Sequence, residues 1–386
     1  MKKVIFVANF MGPSGYAKAA RGYFEILKNV SNISLKLINL PWETPIGGLN
    51  ENDILSRCIT KDELAQFIAD DFVVLYFCEA GNHYLDNAKK ATGIDIRKLI
   101  LDSKASYGIM AWEPDKIPDK WEKFYNDMFT GVITPSAYCK HVFDDQLSIP
   151  VYNIPYIITD VSESKQTYTN NFNILAFSQW TNRKGFDILI PAFYSEFFND
   201  ENVSLTIKTY GNINNDNDKK EITSSLTHFK NSCRQYGKLP KCKVKLLYGV
   251  VSREVLNGLY DSVDVLATTT RGEAFGLTIS EAISRGKRVI VPDVGGHLDY
   301  IHDSNYFINS RMETLRCSYL SRNYSSTMKL IESDFEDTRR ILRKAYNDYI
   351  HNPEDWECNR LKSVDYTKKY LDNKNTLKKL IKVIEK

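Results

Sequence analysis

Short apolar runs alternate with amphipathic stretches from one end of the chain to the other. KVIFVAN (3–9) reads as a strand, and SGYAKAARGYFEILKNV (14–30) as a helix whose apolar side holds Ala20, Tyr23, Phe24 and Leu27. FVVLYFC (72–78), ASYGIMAWE (105–113) and GVITPS (131–136) are further strands, each ending in a polar or turn-forming residue. After a polar, aperiodic stretch at 162–171 the pattern starts again. NILAFSQ (173–179), VSLTIKTYG (203–211), KVKLLYGV (243–250), VDVLATTT (263–270) and RVIVPDV (288–294) are separated by helix-like segments. Strands interleaved with helical periodicity argue for parallel α/β sheets. Two α/β domains in tandem are expected, 1–165 and 166–340, with 162–171 as the linker. The tail, 341–386, reads as helices with Lys-rich faces that pack back toward the first domain. NINNDNDKKE (212–221) reads as a solvated loop, and its Asp-x-Asp at 216–218 as solvated rather than metal-binding.

Composition narrows the function classes. At 386 residues the chain is too long for one ordinary core. The first 165 residues carry 18 Lys and Arg against 21 Asp and Glu; the remainder carries 33 against 27. A modestly basic second half suits an anionic small molecule, whereas a nucleic-acid surface calls for a larger excess. Seven cysteines, scattered and with no C-x-x-C pair, point to a reduced, cytoplasmic protein without a zinc site. The N-terminal apolar run is short and interrupted by Asn9, so it reads as a first strand and not as a signal peptide. No run of 18 apolar residues occurs, which argues against a membrane-spanning helix and leaves only peripheral contact with a membrane.

Three places carry candidate chemistry. In NFMGPSGYAKAAR, Gly12 and Gly15 follow a strand and precede a helix, where backbone N–H groups and the positive dipole end suit an oxyanion. In SQWTNRKGFDILIPAF, Arg183 and Lys184 sit between a strand and the helix beginning near Phe186, a guanidinium beside an ammonium that suits a diphosphate. The third is TTTRGEAFGLTISEAISRGKRVIVPDVGG (268–296), in which Phe275, Gly276 and Leu277 open a helix after a strand. Glu273 precedes that helix and Glu281 lies about two turns further on. A carboxylate accepts two hydrogen bonds from a diol, so carboxylates flanking an anion site describe a nucleotide sugar: phosphate in the middle, sugar and ribose at the ends.

The stretch TRGEAFGLTISEAISRGKRVIVPDVGG resembles the donor-site signature of retaining GT-B glycosyltransferases of the group 1, family-four type. VKLLYGVVSREVLNGLYDSVDVLATTT is similar to the element that precedes it there, and RKGFDILIPAF to the Lys-Gly-x-x-x-Leu-Ile-x-Ala segment. TPSAYCKHVF, VYNIPYIITD and AWEPDKIPDKW resemble markers of the first domain. The resemblance spans roughly residues 1–310 and is most specific over 245–296. It implies two Rossmann-like domains facing each other across a donor cleft, and a cofactor-free, metal-independent transfer of sugar from a nucleotide-diphosphate sugar to a hydroxyl acceptor. The acceptor it implies is a sugar, a lipid-linked sugar or a similar hydroxyl compound in polysaccharide, glycan or glycolipid assembly.

Position by position, the resemblance puts Lys184 on the diphosphate, Glu281 on the ribose and Glu273 on the transferred sugar. It puts the amides of Gly276 and Leu277 on phosphate and sugar, Gly12 and Gly15 against the diphosphate from the first domain, and the base near Tyr248, Gly249 and Val250. The family's Arg five places before the Lys is Gln179 here, so Arg183 is the candidate to supply the missing charge. His83, in FCEAGNHYLD, is the candidate for the family's His near the anomeric centre. Three other readings stay open at this stage: a phosphorylase or epimerase on the same fold, a phage-type transferase acting on DNA bases, and a non-catalytic binding module.

Overall fold

A computed structural model of the chain describes residues 1–43, 51–159, 168–200, 202–211, 215–315 and 323–386. It divides into two compact units, Met1–Thr159 with Leu371–Lys386, and Asp160–Tyr370.

The first unit runs β1 (Lys2–Ala8), α1 (Gly15–Leu27), β2 (Ile33–Asn39), α2 (Glu51–Leu55), α3 (Lys61–Phe67), β3 (Phe72–Phe77), α4 (Asn82–Thr92), α5 (Ile96–Asp102), β4 (Ala105–Ile109), α6 (Asp119–Met128), β5 (Gly131–Thr134), α7 (Ala137–Asp144) and β6 (Val151–Asn153). All six strands are parallel, in the order β2-β1-β3-β4-β5-β6. β3 and β4 are buried along their whole length, which is why their sequences are unbroken apolar runs instead of alternating ones. The chain leaves β1 for one side, then returns to place β3 on the other. The strand order therefore reverses between β1 and β3, and the crevice beyond their C-terminal ends is where such a sheet takes ligands.

The second unit runs β7 (Phe172–Phe177), α8 (Phe186–Glu196), β8 (Val203–Thr209), α9 (Asp216–Ser232), β9 (Lys243–Tyr248), α10 (Arg253–Asp261), β10 (Val265–Ala267), α11 (Leu277–Ser284), β11 (Arg288–Pro292), β12 (Tyr306–Ile308), β13 (Ser310–Thr314), β14 (Lys329–Ser333), α12 (Phe335–His351) and α13 (Pro353–Tyr370). Its main sheet is also all parallel, in the order β12-β11-β10-β7-β8-β9. Here the reversal falls between β7 and β10. One face of the sheet packs Ile174, Ala176, Leu205 and Ile207 against Phe193 and Leu342, with Trp356 closing the cluster. β13 and β14 form a separate antiparallel hairpin that the sequence pattern did not announce.

Two expectations need correction. Residues 212–221 are not a loop throughout: 212–214 lie outside the described residues, but Asp216 opens the 17-residue α9. The side chain of Asn215 caps it by accepting from the Asp218 amide at 3.0 Å, with Asp216 and Asp218 at the positive end of the helix dipole. The tail divides as well. α12 packs on α8 and α13 on α11, inside the second unit, because their apolar sides complete that unit's core. Only the last helix, α14 (Asn373–Ile384), belongs with the first unit, where it lies against α1. The expected linker at 162–171 falls largely outside the described residues. Among the described residues, no helix is long and apolar enough to cross a membrane.

Candidate functional site

The crevice of the second sheet is built from the loops that follow β7 and β10. After β7 the chain makes one 3₁₀ turn, Asn182–Lys184, and enters α8 through Gly185. Trp180 stacks on Phe186 with ring centroids 4.5 Å apart, clamping the turn against the helix start. Gly185 has φ +68°, and a Cβ there would collide with the carbonyl oxygen of Thr269, so only glycine lets the two loops meet. Hydrogen bonds then sew them together. The Thr269 hydroxyl donates to the Gly185 carbonyl at 2.7 Å, and the Arg271 amide to the Arg183 carbonyl at 2.6 Å. The guanidinium of Arg183 donates to the Gly272 carbonyl at 2.6 Å, and that of Arg271 to the Asn182 carbonyl at 2.7 Å.

Arg271 was not singled out from the sequence, yet it is the most heavily bonded cation here. It is 3% exposed and forms a bidentate pair with Asp187 at 2.7 and 2.9 Å and another with Glu332 on β14 at 2.6 and 3.1 Å. Burial alone would lower its pKa, but these two carboxylates outweigh burial and hold it above the ordinary arginine value. Arg271 therefore ties the 3₁₀ turn, the start of α8 and the β13–β14 hairpin to one point.

Lys184 and Glu273 meet across the crevice as a hydrogen-bonded ion pair, each side chain 14% exposed. Burial would raise the Glu273 carboxyl, but the charges of Lys184 and Arg183 overcome it and keep the group below its usual range. The Glu273 carbonyl accepts from the Gly296 amide at 2.8 Å, so the Gly-Gly turn after β11 supports the same point. Gly276, at φ +82°, caps α11. The Tyr300 hydroxyl lies 2.7 and 2.8 Å from the carbonyls of Phe275 and Gly276 and fixes that bend. The Ile279 and Ser280 amides both donate to the Gly276 carbonyl at 3.0 Å, so the amides of Leu277 and Thr278 are the ones left at the N-terminus of α11. Glu281, about one turn into α11, is buried and lies close enough to Tyr260 and Tyr300 to act on their hydroxyls electrostatically. His297 is fully buried, with Nε2 2.8 Å from the Pro292 carbonyl; burial keeps its pKa low and the ring neutral.

Tyr248 ends the edge strand β9, and Gly249 and Val250 follow it. The Tyr248 hydroxyl donates to the Asn215 carbonyl at 2.9 Å, the Gly249 amide to the Thr209 carbonyl at 2.9 Å, and Val250 is exposed. Their neighbour Lys208, on β8, was not anticipated. It is 2% exposed and donates to the Gly249 carbonyl. Burial lowers its pKa from 10.5 to about 8. Between those values the unfolded chain holds the proton more tightly, so the buried ammonium costs stability below about pH 8 and the cost fades as pH rises through 10.5. Lys208→Met is therefore expected to raise the unfolding free energy at pH 7 by about 1–3 kcal/mol. The gain should shrink toward pH 10, as measured by urea unfolding across that range.

The remaining candidates, apart from Gln179, lie in the first unit. The Gly12 amide donates to Asn9 Oδ1 at 3.1 Å and Gly12 is buried beneath the Glu43 carboxylate, which itself accepts from the Ser14 amide at 3.1 Å. Gly12 thus shapes the loop and its own N–H is spent. Gly15, the first residue of α1 after the N-cap Ser14, is exposed. His83 lies in the first turn of α4, just beyond β3, with its ring 3.8 Å from that of Tyr84, which in turn contacts Trp42. Gln179 is half-buried in the loop after β7, the loop that also carries Arg183.

Residues 171–314 match the family model of glycosyl transferases group 1. No curated protein is similar enough to the whole chain to count as a relative. Among solved structures, S. aureus TarM in complex with Fondaparinux, alpha-GlcNAc-glycerol and UDP is similar at 13% identity and a TM-score of 0.59, over 84% of this chain and 58% of TarM. The chain thus spans little more than half of TarM's length. Anabaena HepE in complex with UDP and glucose is similar at 15% identity and a TM-score of 0.60, over the whole of both chains. An E. coli trehalose-6-phosphate protein bound with UDP-2-fluoro glucose gives 12% identity and a TM-score of 0.66, over 100% of this chain and 99% of that one. Likeness at these identities establishes architecture alone. With two parallel sheets, each reversing its strand order, the chain has the GT-B fold, and its residues 171–314 match the glycosyl transferases group 1 model.

Proposed function

We propose that the chain is a retaining, metal-independent glycosyltransferase that moves a sugar from a nucleotide-diphosphate sugar to a hydroxyl acceptor. The observation that carries this reading is the convergence, at the strand-order reversal of the second sheet, of Arg183, Lys184, Glu273 and the N-terminus of α11. The group 1 family match covers this constellation, and the similar solved structures contain UDP or a UDP-sugar. In the absence of ligand, Lys184 and Glu273 neutralise each other. A bound donor exchanges that pair for two better-matched ones: diphosphate oxygens on Lys184, and sugar hydroxyls on Glu273.

As the bond between the anomeric carbon and the phosphate oxygen breaks, negative charge grows on the diphosphate. Lys184, Arg183 and the α11 amides are fixed in advance where that charge appears. The acceptor hydroxyl attacks the same face of the sugar that the phosphate leaves, and its proton passes to the departing phosphate oxygen. Glu273 acts as a clamp on the sugar, not as a nucleophile. The crevice of the first unit, with Gly15 and His83, is the acceptor-side surface in this reading. Because fixed cations and helix amides carry the charge, transfer from a UDP-sugar panel, read by UDP release, should persist in excess EDTA. Complete loss on chelation, restored by Mn²⁺ or Mg²⁺, would refute the assignment.

Glu281 has a different role, holding the ribose equally in ground and transition states. Glu281→Ala should raise the donor KM by about 10-fold or more with kcat nearly kept. A collapse of kcat at saturating donor with KM unchanged sinks the ribose role.

A further inference from the structure

One buried cation of the second unit has no part in the chemistry above. Lys208 projects from β8, the strand next to the edge strand β9, on the side opposite the α8 core, toward the C-terminal end of the sheet. Its ammonium sits 5.4 Å from the ring centre of Phe177 at the end of β7, 5.9 Å from that of Tyr210 just past β8, and against the Gly249 carbonyl just past β9. Three strand ends thus converge on one charge. An ammonium has three N–H donors and no acceptor. Among the described residues, the Gly249 carbonyl is the one hydrogen-bond acceptor it meets, and no carboxylate is paired with it. Two donors on a group that is 2% exposed are left to something that arrives at this rim. Val250, next to that carbonyl, is 58% exposed. The same desolvation that lowers its pKa makes the Lys208 ammonium a net cost to folding.

We propose that Lys208 is a specificity-determining residue that reads the nucleobase of the donor, selecting a base with an oxo edge over one with an amino edge. This rests on the reading of the second unit's crevice as a nucleotide-sugar site. The chemistry follows from the donor-only character of the group. Uracil carries acceptor oxygens at positions 2 and 4, and cytosine replaces the second with an amino donor. Guanine carries an oxygen at position 6 where adenine carries an amino group. An ammonium bonds the oxygen of each pair and repels the amino hydrogens, and in this low-dielectric setting the difference is enlarged. One N–H remains on Gly249, so the lysine also holds the loop that borders the base.

The test is isothermal titration of the full chain with the matched pairs UDP and CDP, and GDP and ADP. Wild type is expected to favour the oxo member of the pair it binds by about 10-fold, the scale of a hydrogen bond to a charged group. Lys208→Met should bring that ratio to within about twofold while diphosphate binding persists. Lys208→Gln, whose amide both donates and accepts, should do the same and provides a second variant if the first does not fold. A ratio unchanged in both variants overturns the proposal, as does a wild type without oxo preference. A wild type that binds none of the four nucleotides overturns the nucleotide-sugar reading itself. Binding with an unaltered ratio overturns only the role of Lys208.

Discussion

Lys184→Met should lower kcat/KM by about 100- to 1000-fold, the range found when one fixed donor is removed from a developing oxyanion. The substitution keeps the aliphatic stem and removes only the charge. Its effect is compound, because Lys184 and Glu273 are partners in the ligand-free crevice. Without Lys184, burial acts on the Glu273 carboxyl with less positive charge to oppose it, and its pKa rises. Under the proposed function, the sugar clamp is then weakened together with the phosphate contact. Steady-state kinetics on Lys184→Met, Glu273→Gln and the double variant separate the two. If both residues grip one bound donor, the double variant should be far less impaired than the product of the single losses. Activity of Lys184→Met within about fivefold of wild type would remove Lys184 from the chemistry.

Arg271→Met should be the most destabilising change in the second unit, by roughly 3–5 kcal/mol. For a unit of this size that corresponds to a fall in Tm of about 6–15 °C. The reason is the number of groups left behind: two carboxylates, Asp187 and Glu332, and the Asn182 carbonyl all lose their donor together. Arg271→Lys should recover little, since an ammonium cannot form two bidentate pairs at once. Converting the stranded acids as well, in Arg271→Met with Asp187→Asn and Glu332→Gln, should recover about half of the loss, as uncompensated charge is its larger part. Calorimetry on the three variants decides. A Tm within 2 °C of wild type for Arg271→Met would show the clamp to be energetically idle.

How much of this could be read in the sequence depended on how local each determinant was. The two parallel sheets were legible because strands buried on both faces must be apolar throughout, as FVVLYF at 72–77 and RVIVP at 288–292 are. Glu273, Gly276 and Glu281 were legible because strand, bend and helix start are contiguous. The Arg271 clamp was not, since its partners lie 61 and 84 positions away and nothing in TRGE names them. Lys208 was hidden in a different way. In a strand, a polar residue reads as the solvent side of an alternation, and only the fold shows that this side is covered. α9 was misread because Asn215, Asp216 and Asp218 are at once good loop residues and good helix-start residues, and only Ile222 of that helix is buried. The split of the tail at Leu371 has no local mark at all. It depends on which core each helix completes.

That split has a consequence for synthesis on the ribosome. The sheet of the first unit is complete in sequence by Thr159, but the helix that covers α1 begins only after Leu371. At translation rates of about 5–20 residues per second, the face of α1 waits roughly 10–40 s for Leu380, Val383 and Ile384, the residues that α14 buries. In that interval the whole second unit emerges and can fold. The unit whose sheet is made earlier is thus finished after the second unit, and its nascent form carries an uncovered apolar strip that a holdase chaperone is suited to shield until α14 arrives.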